Sequence, residues 1–77
     1  MTSPLLTFGE KAVGLAFNPS GDKGVDLLKG LYAQIIDHCN TMRNNTADAE
    51  KKRLFSIAIT EAQGAQMWTV KAITWRD

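Results

Sequence analysis

The fold is decided by residues 25–42, VDLLKGLYAQIIDHCNTM, because their apolar residues recur with the period of an α-helix. This period places one set of side chains along a single helix face. The set is Val25, Leu28, Tyr32, Ile35, Cys39 and Met42. A second apolar line, formed by Leu27, Leu31 and Ile36, widens that face. The pattern predicts a first long helix over about residues 22–44.

A turn precedes this helix. The run Asn18-Pro19-Ser20-Gly21-Asp22 gathers residue types that favour turns, each for its own conformational reason. Asp22 can cap the helix by accepting hydrogen bonds from its first free N–H groups. Further upstream, glycines interrupt FGEKAVGLAF at residues 8–17, which predicts no more than one or two turns of helix. We therefore assign residues 1–21 to an N-terminal arm that is partly helical or extended.

A second long helix follows the first. Asn44-Asn45-Thr46 is predicted to end the first helix, with Thr46 capping the next one. The remaining residues contain no proline, which predicts a helix over about 46–75. Because the link is short, the two helices should form an antiparallel hairpin. The sequence predicts an all-α fold in a single domain, residues 1–77.

The second helix carries two apolar stripes, and this bears on assembly. One stripe contains Leu54, Ala58, Ala65, Trp68, Ala72 and Trp75, and the other contains Phe55, Ile59, Ala62, Val70 and Ile73. The first helix can cover only one of them, so a second copy of the chain should cover the other. Tyr32 and Trp68 fit these stripes and are predicted to be core residues. We therefore expect a compact homo-oligomer.

Composition supports self-association and excludes several functions. A chain of 77 residues buries only about 60% of its unfolded surface, and one Cys with one His allows neither a disulfide nor a zinc site. We expect no metal, no cofactor and no catalytic residues. The formal net charge of +1 argues against a partner such as long nucleic acid. No stretch is apolar enough to cross a membrane, so we expect a cytoplasmic protein.

One constellation suggests ligand binding. Phe17 stands just before the turn and offers a flat face on which a base can stack. Lys29 lies about two helical turns after Asp22, and its side chain leans back toward the helix start, where a phosphate can be held. The residues alone leave a second interpretation open, and it is the commoner one. Under that interpretation this segment is a helix-capping loop that binds nothing.

Three segments together resemble a known family. They are FGEKAVGLAFNPSGD at 8–22, KGLYAQIID at 29–37 and AITEAQGAQMWTVKAITW at 58–75. They are similar to the hairpin domain shared by bacteriophage sponges that act against CBASS and Thoeris immunity, with the anti-CBASS cyclic-nucleotide sponge the nearest. The resemblance runs from about residue 8 to residue 75.

The resemblance implies a helical homo-hexamer that sequesters cyclic oligonucleotide messengers, such as 3′,3′-cGAMP, in the cytoplasm of the infected host. It implies that Phe17 stacks on a base and that Lys29 meets a phosphate, with the turn residues Asn18, Pro19 and Gly21 completing the site. Relatives often have tyrosine where Phe17 stands, so a contact through the hydroxyl is lost here. Some relatives also hold cyclic trinucleotides in a second pocket, for which the candidates here are Lys71, Thr74 and Arg76.

Two other functions remain open at this point. One is an RNA-binding helical hairpin, which would display its basic residues on one exposed face. The other is a structural adaptor oligomer, for which the two apolar stripes would be the whole explanation. Salt-dependent binding of structured RNA would favour the first, and the absence of stabilisation by any phosphate-containing ligand would favour the second.

Overall fold

The computed structural model describes residues 5–77, and within them it contains three helices and no strand. They are α1 (Phe8–Ala12), α2 (Lys23–Asn44) and α3 (Ala49–Ile73). The prediction of an all-helical fold is confirmed. The first four residues of the predicted N-terminal arm, 1–21, lie outside the described part. The last helix starts at residue 49 and ends at residue 73, within the predicted span of 46–75.

Polar side chains fix the start of each helix. Thr7 caps α1, its hydroxyl accepting from the Glu10 backbone while the Glu10 carboxylate accepts from the Thr7 backbone. Asp22 caps α2, as predicted, by accepting from the N–H of Gly24. The prediction that Thr46 caps the last helix is wrong. Asp48 holds that position and accepts from two N–H groups, because its carboxylate stands one residue before the helix starts.

Helices α2 and α3 pack against each other as an antiparallel pair. The Arg43 guanidinium near the end of α2 donates to the Ser56 hydroxyl near the start of α3. Closer to the other end of the pair, the hydroxyl oxygens of Tyr32 and Thr69 lie 3.5 Å apart. The central line of α2 is buried and consists of Val25, Lys29, Ala33 and Ile36. The buried face of α2 is therefore centred on a different line of residues from the apolar stripe that the sequence predicts. Ile35, which belongs to that stripe, is 53% exposed.

Helix α1 is anchored on the middle of α2. One Asp37 carboxylate oxygen accepts from the Gly9 N–H and the other from the Thr7 hydroxyl, both at 2.6 Å. Gly9 is buried, and a Cβ added there would collide with the backbone carbonyl of Ala33. This close approach places the loop after α1 along the first turns of α2.

The two stripes of α3 have different surroundings. Ile59 is buried in a small core with Val13, Ala33 and Ile36, so this stripe packs on α2. Trp68 on the other stripe is 71% exposed, and the prediction that it is a core residue is wrong for the single chain. The described part of the chain is flat, with extents of 46 × 38 × 12 Å. The outer stripe of α3 stays uncovered in the single chain.

Candidate functional site

A cavity of about 400 Å³ opens between the turn before α2, the first turns of α2 and the last turns of α3. Its volume falls in the usual range for small-molecule sites, about 300 to 1,000 Å³. Most of its wall is apolar, with a few polar groups. It is lined by Phe17, Asn18, Pro19, Ser20, Val25, Lys29, Gln66, Met67, Val70 and Thr74. Four of the five residues predicted for a cyclic dinucleotide site therefore meet at one cavity, and Gly21 is not among its lining residues.

Lys29 is the main charged group of this cavity. Its side chain is only 5% exposed, and its ammonium donates to the carbonyl oxygens of Gly14 and Phe17, at 3.1 and 2.5 Å. Among residues 5–77 the one salt bridge joins Arg53 and Glu50, so no carboxylate neutralises Lys29 there. A buried charge is costly unless an opposite charge compensates it. This cavity is therefore suited to an anionic group.

Phe17 stands beside that ammonium with most of its ring in solvent. Phe17 is 70% exposed, and its ring centroid lies 5.6 Å from the Lys29 Nζ. The Phe17 backbone is fixed on both sides, since its N–H donates to Gly14 and its carbonyl accepts from Lys29. An exposed aromatic face on a fixed backbone next to a cation can hold a nucleobase by stacking.

The turn residues hold the loop in shape. The Asn18 side-chain amide donates to the Asp22 carbonyl and to the Asp26 carboxylate, and its oxygen accepts from Ser20. Gly21 has a φ of 69°, in the left-handed region that favours glycine. The Gly24 N–H at the helix start already donates to the Asp22 carboxylate. In this structure Asn18 and Gly21 shape the turn, while Phe17 and Lys29 present chemistry to the cavity.

Gln66 is a cavity residue that the sequence reasoning missed. It lies on α3 and is 5% exposed. It also stands halfway between Ala62 and Val70, which are eight residues apart in the second apolar stripe. The sequence did offer one signal for Gln66, which is a polar residue at the centre of an otherwise apolar helix stripe. Met67 and Val70, from the same helix, complete the apolar wall.

The residues predicted for a second pocket are spread over different sites in the single chain. Lys71 lines a surface groove of about 310 Å³ with Gly64, Met67 and Trp68, and its Nζ lies 5.4 Å from the Trp68 ring centroid. Arg76 lines another cavity of about 210 Å³ at the end of α3. Thr74 lines that cavity and the large one.

The perturbed ionisable groups lie at the start of α3. The Arg53 guanidinium donates two hydrogen bonds to the Glu50 carboxylate, which lowers the pKa of Glu50 and raises the pKa of Arg53. Both side chains are exposed. The described residues contain no cluster of three or more His, Cys, Asp or Glu that could hold a metal ion. None of the described helices is both long and apolar enough to span a bilayer.

The comparison with known families adds to this geometry. The family model for the Acb2/Tad1 hairpin domain matches residues 10–74. The chain belongs to the Acb2/Tad1 hairpin domain family. This is the family of anti-CBASS and anti-Thoeris sponges, so the predicted resemblance is confirmed. No curated protein and no solved structure matches the chain.

Membership in the Acb2/Tad1 family supports a broad sponge-type role in countering host defence. Proteins of this family sequester ligands rather than transform them, and the ligands the family implies are cyclic oligonucleotides. All the residues that line the large cavity fall inside the matched segment. The cavity is therefore the first candidate for the ligand site in this chain.

Proposed function

We propose that this protein is a non-enzymatic bacteriophage sponge that blocks CBASS immunity by sequestering cyclic dinucleotides such as 3′,3′-cGAMP. It acts in the cytoplasm of the infected bacterium. The ligand occupies the cavity, where Phe17 stacks on a base and Lys29 donates to a phosphate, and where Asn18, Pro19 and Gly21 keep the loop in place.

The observation that carries this proposal is the buried ammonium of Lys29. Two of its three N–H bonds are used by the carbonyl oxygens of Gly14 and Phe17, which leaves one free. Its positive charge has no carboxylate partner in the described part of the chain. A phosphate would compensate that charge and accept the third hydrogen bond, and charge-assisted bonds of this kind are the stronger ones.

The site is completed by a second copy of the chain. A cyclic dinucleotide has two phosphates and two bases, so two cavities related by a two-fold axis would match its symmetry. The exposed face of α3 supports self-association. Large apolar side chains such as Leu54, Ile57, Met67 and Trp68 are exposed there. The copy number we propose, six, comes from the family resemblance.

Titration calorimetry with 3′,3′-cGAMP tests this function, and native mass spectrometry gives the copy number and stoichiometry. We expect heat at micromolar ligand and recovery of the ligand intact after the protein is denatured. No binding would contradict a sponge for this ligand, and a hydrolysed product would contradict the non-enzymatic role. A monomer that still binds would contradict only the shared site.

Cyclic trinucleotides are a second ligand class that we propose for the assembled protein. Lys71 and Arg76 line separate cavities in one chain, so a common pocket for them and Thr74 would have to include several copies. Competition distinguishes the two sites. A cyclic trinucleotide that binds without displacing 3′,3′-cGAMP would support a second pocket, and mutual displacement would contradict it.

A structural adaptor oligomer is the alternative that the exposed α3 face also favours. It predicts assembly without any ligand, so no phosphate-containing compound would raise the melting temperature. An RNA-binding hairpin, in contrast, would show affinity for structured RNA that falls steeply with salt. Running both assays beside the calorimetry separates the three functions.

A further inference from the structure

The cavity contains one polar side chain that the fold itself does not use. Gln66 is 5% exposed, yet its amide makes no hydrogen bond within residues 5–77. Buried polar side chains are nearly always hydrogen-bonded, because an unpaired amide loses its water without compensation. The described part of the chain also contains no sealed, unpaired side-chain atom, so the Gln66 amide reaches the cavity that it lines.

A matched residue on the same helix shows the difference. Gln63 stands one turn earlier on α3, and its amide Nε2 donates to the Ala12 carbonyl at 3.3 Å. Gln63 therefore ties α3 to the segment around α1. Gln66 has the same amide group and is more buried than Gln63, but it makes no hydrogen bond to another segment of the chain. Its polar group is available to a molecule in the cavity.

The chemistry of an amide limits what it can recognise. The Gln66 amide offers an acceptor beside a donor, whereas Lys29 offers only donors and Phe17 only a ring face. Adenine matches this pair at either of its edges, because its N6 amine lies beside the acceptors N7 and N1. Guanine presents two acceptors at its O6/N7 edge, and on its O6/N1–H edge the amide leaves the N2 amine without a partner. Guanine matches the amide fully only through N2 and N3, which lie next to the glycosidic bond. A polar group that loses its water on binding without gaining a partner reduces affinity.

We infer that Gln66 reads the base edge and gives the cavity a preference for adenine over guanine. This inference rests on the proposed function, since it needs a cyclic dinucleotide in the cavity. Gln66 is a specificity-determining residue here. The stacking by Phe17 and the phosphate contact by Lys29 are indifferent to base identity.

Calorimetry with cyclic di-AMP and cyclic di-GMP tests the inference. A good bidentate contact discriminates by about 1–3 kcal/mol, so wild type should bind cyclic di-AMP about tenfold more tightly. Gln66→Met keeps the size but removes the amide, and it should bind the two ligands equally. Gln63→Met is the matched control and should keep the wild-type ratio. An unchanged ratio in Gln66→Met, or a wild type that prefers cyclic di-GMP, overturns the inference.

A second arm needs no variant. The analogue of cyclic di-AMP in which purine replaces adenine lacks the N6 amine, and wild type should bind it about tenfold more weakly. Equal binding of the analogue overturns the inference even if Gln66→Met fails to fold. If wild type binds neither these ligands nor 3′,3′-cGAMP, the proposed function fails as well. If wild type binds them all alike, only the role of Gln66 fails.

Discussion

Lys29 and Lys71 each place an ammonium over an aromatic ring, yet their surroundings differ. Lys29 lies 5.6 Å from the Phe17 ring, is buried and donates to two carbonyl oxygens at the edge of the cavity. Lys71 lies 5.4 Å from the Trp68 ring and 5.9 Å from the Trp75 ring, but it is exposed and lines a surface groove. A cation beside an aromatic ring is therefore not enough to identify a binding site. Burial and fixed hydrogen bonds distinguish the first pair from the second.

The sharpest test of this comparison is to remove each ammonium in turn. Lys29→Met should weaken binding of 3′,3′-cGAMP about a hundredfold, because it removes a charge-assisted contact and releases the Phe17 carbonyl. Lys71→Met should change that affinity less than about threefold, since exposed cations contribute little. Calorimetry of both variants, with circular dichroism to check folding, makes the measurement. Equal losses in the two variants would contradict the comparison.

The loop that holds Lys29 depends on the close approach of α1 to α2. Gly9→Ala should lower the free energy of unfolding by about 2 kcal/mol, because the new methyl group collides with the Ala33 carbonyl. Gly64→Ala has open space around it and is the control. It should be neutral or stabilising by up to about 1 kcal/mol, because alanine favours helix. Thermal denaturation measures both, and a Gly9→Ala protein as stable as wild type would contradict the anchoring role.

The aromatic partners of the two lysines should also differ. Phe17→Ala should weaken 3′,3′-cGAMP binding about tenfold through lost stacking, whereas Phe17→Tyr should keep the affinity. Trp75→Ala, at the exposed site, should leave the dinucleotide affinity within about twofold. Competition against a fluorescent cyclic dinucleotide measures all three. A larger loss in the Trp75 variant than in the Phe17 variant would reverse the assignment of the two sites.

The smallest effect is expected at the exposed ion pair of α3. Arg53→Gln should return the pKa of Glu50 toward its ordinary range, because the guanidinium is what lowers it. A carboxyl whose pKa is lowered in the folded state stabilises the fold above its unfolded pKa, and that stabilisation is lost as the pH falls through the folded pKa. Because both side chains of the pair are exposed, we expect acid unfolding to stay nearly unchanged. An NMR titration of Glu50 and an acid denaturation curve check both statements.

Part of the candidate site could be predicted from single residues. Phe17, Asn18, Pro19 and Lys29 stand near a recognisable turn, and the structure places all four at the large cavity. Gln66 lies nearly forty residues further along, and only the packing of α3 on α2 brings it to the same cavity. A gap in an apolar stripe indicates that a polar residue is buried. It does not indicate what that residue faces.

Sequence alone determined the helical class and the cap at Asp22, because helix periodicity and capping depend on neighbours within a few residues. The segments at 8–22, 29–37 and 58–75 also determined the family, which the match over residues 10–74 confirms. Tertiary structure decided which side of each helix is buried, so Ile35 and Trp68 are exposed while Lys29 and Gln66 are buried beside the cavity. The physical reason is that a helix fixes the angular order of its side chains but not the direction in which they face. Contacts with segments distant in sequence set that direction. An example is the pair of hydrogen bonds by which Asp37 holds the start of α1 against α2.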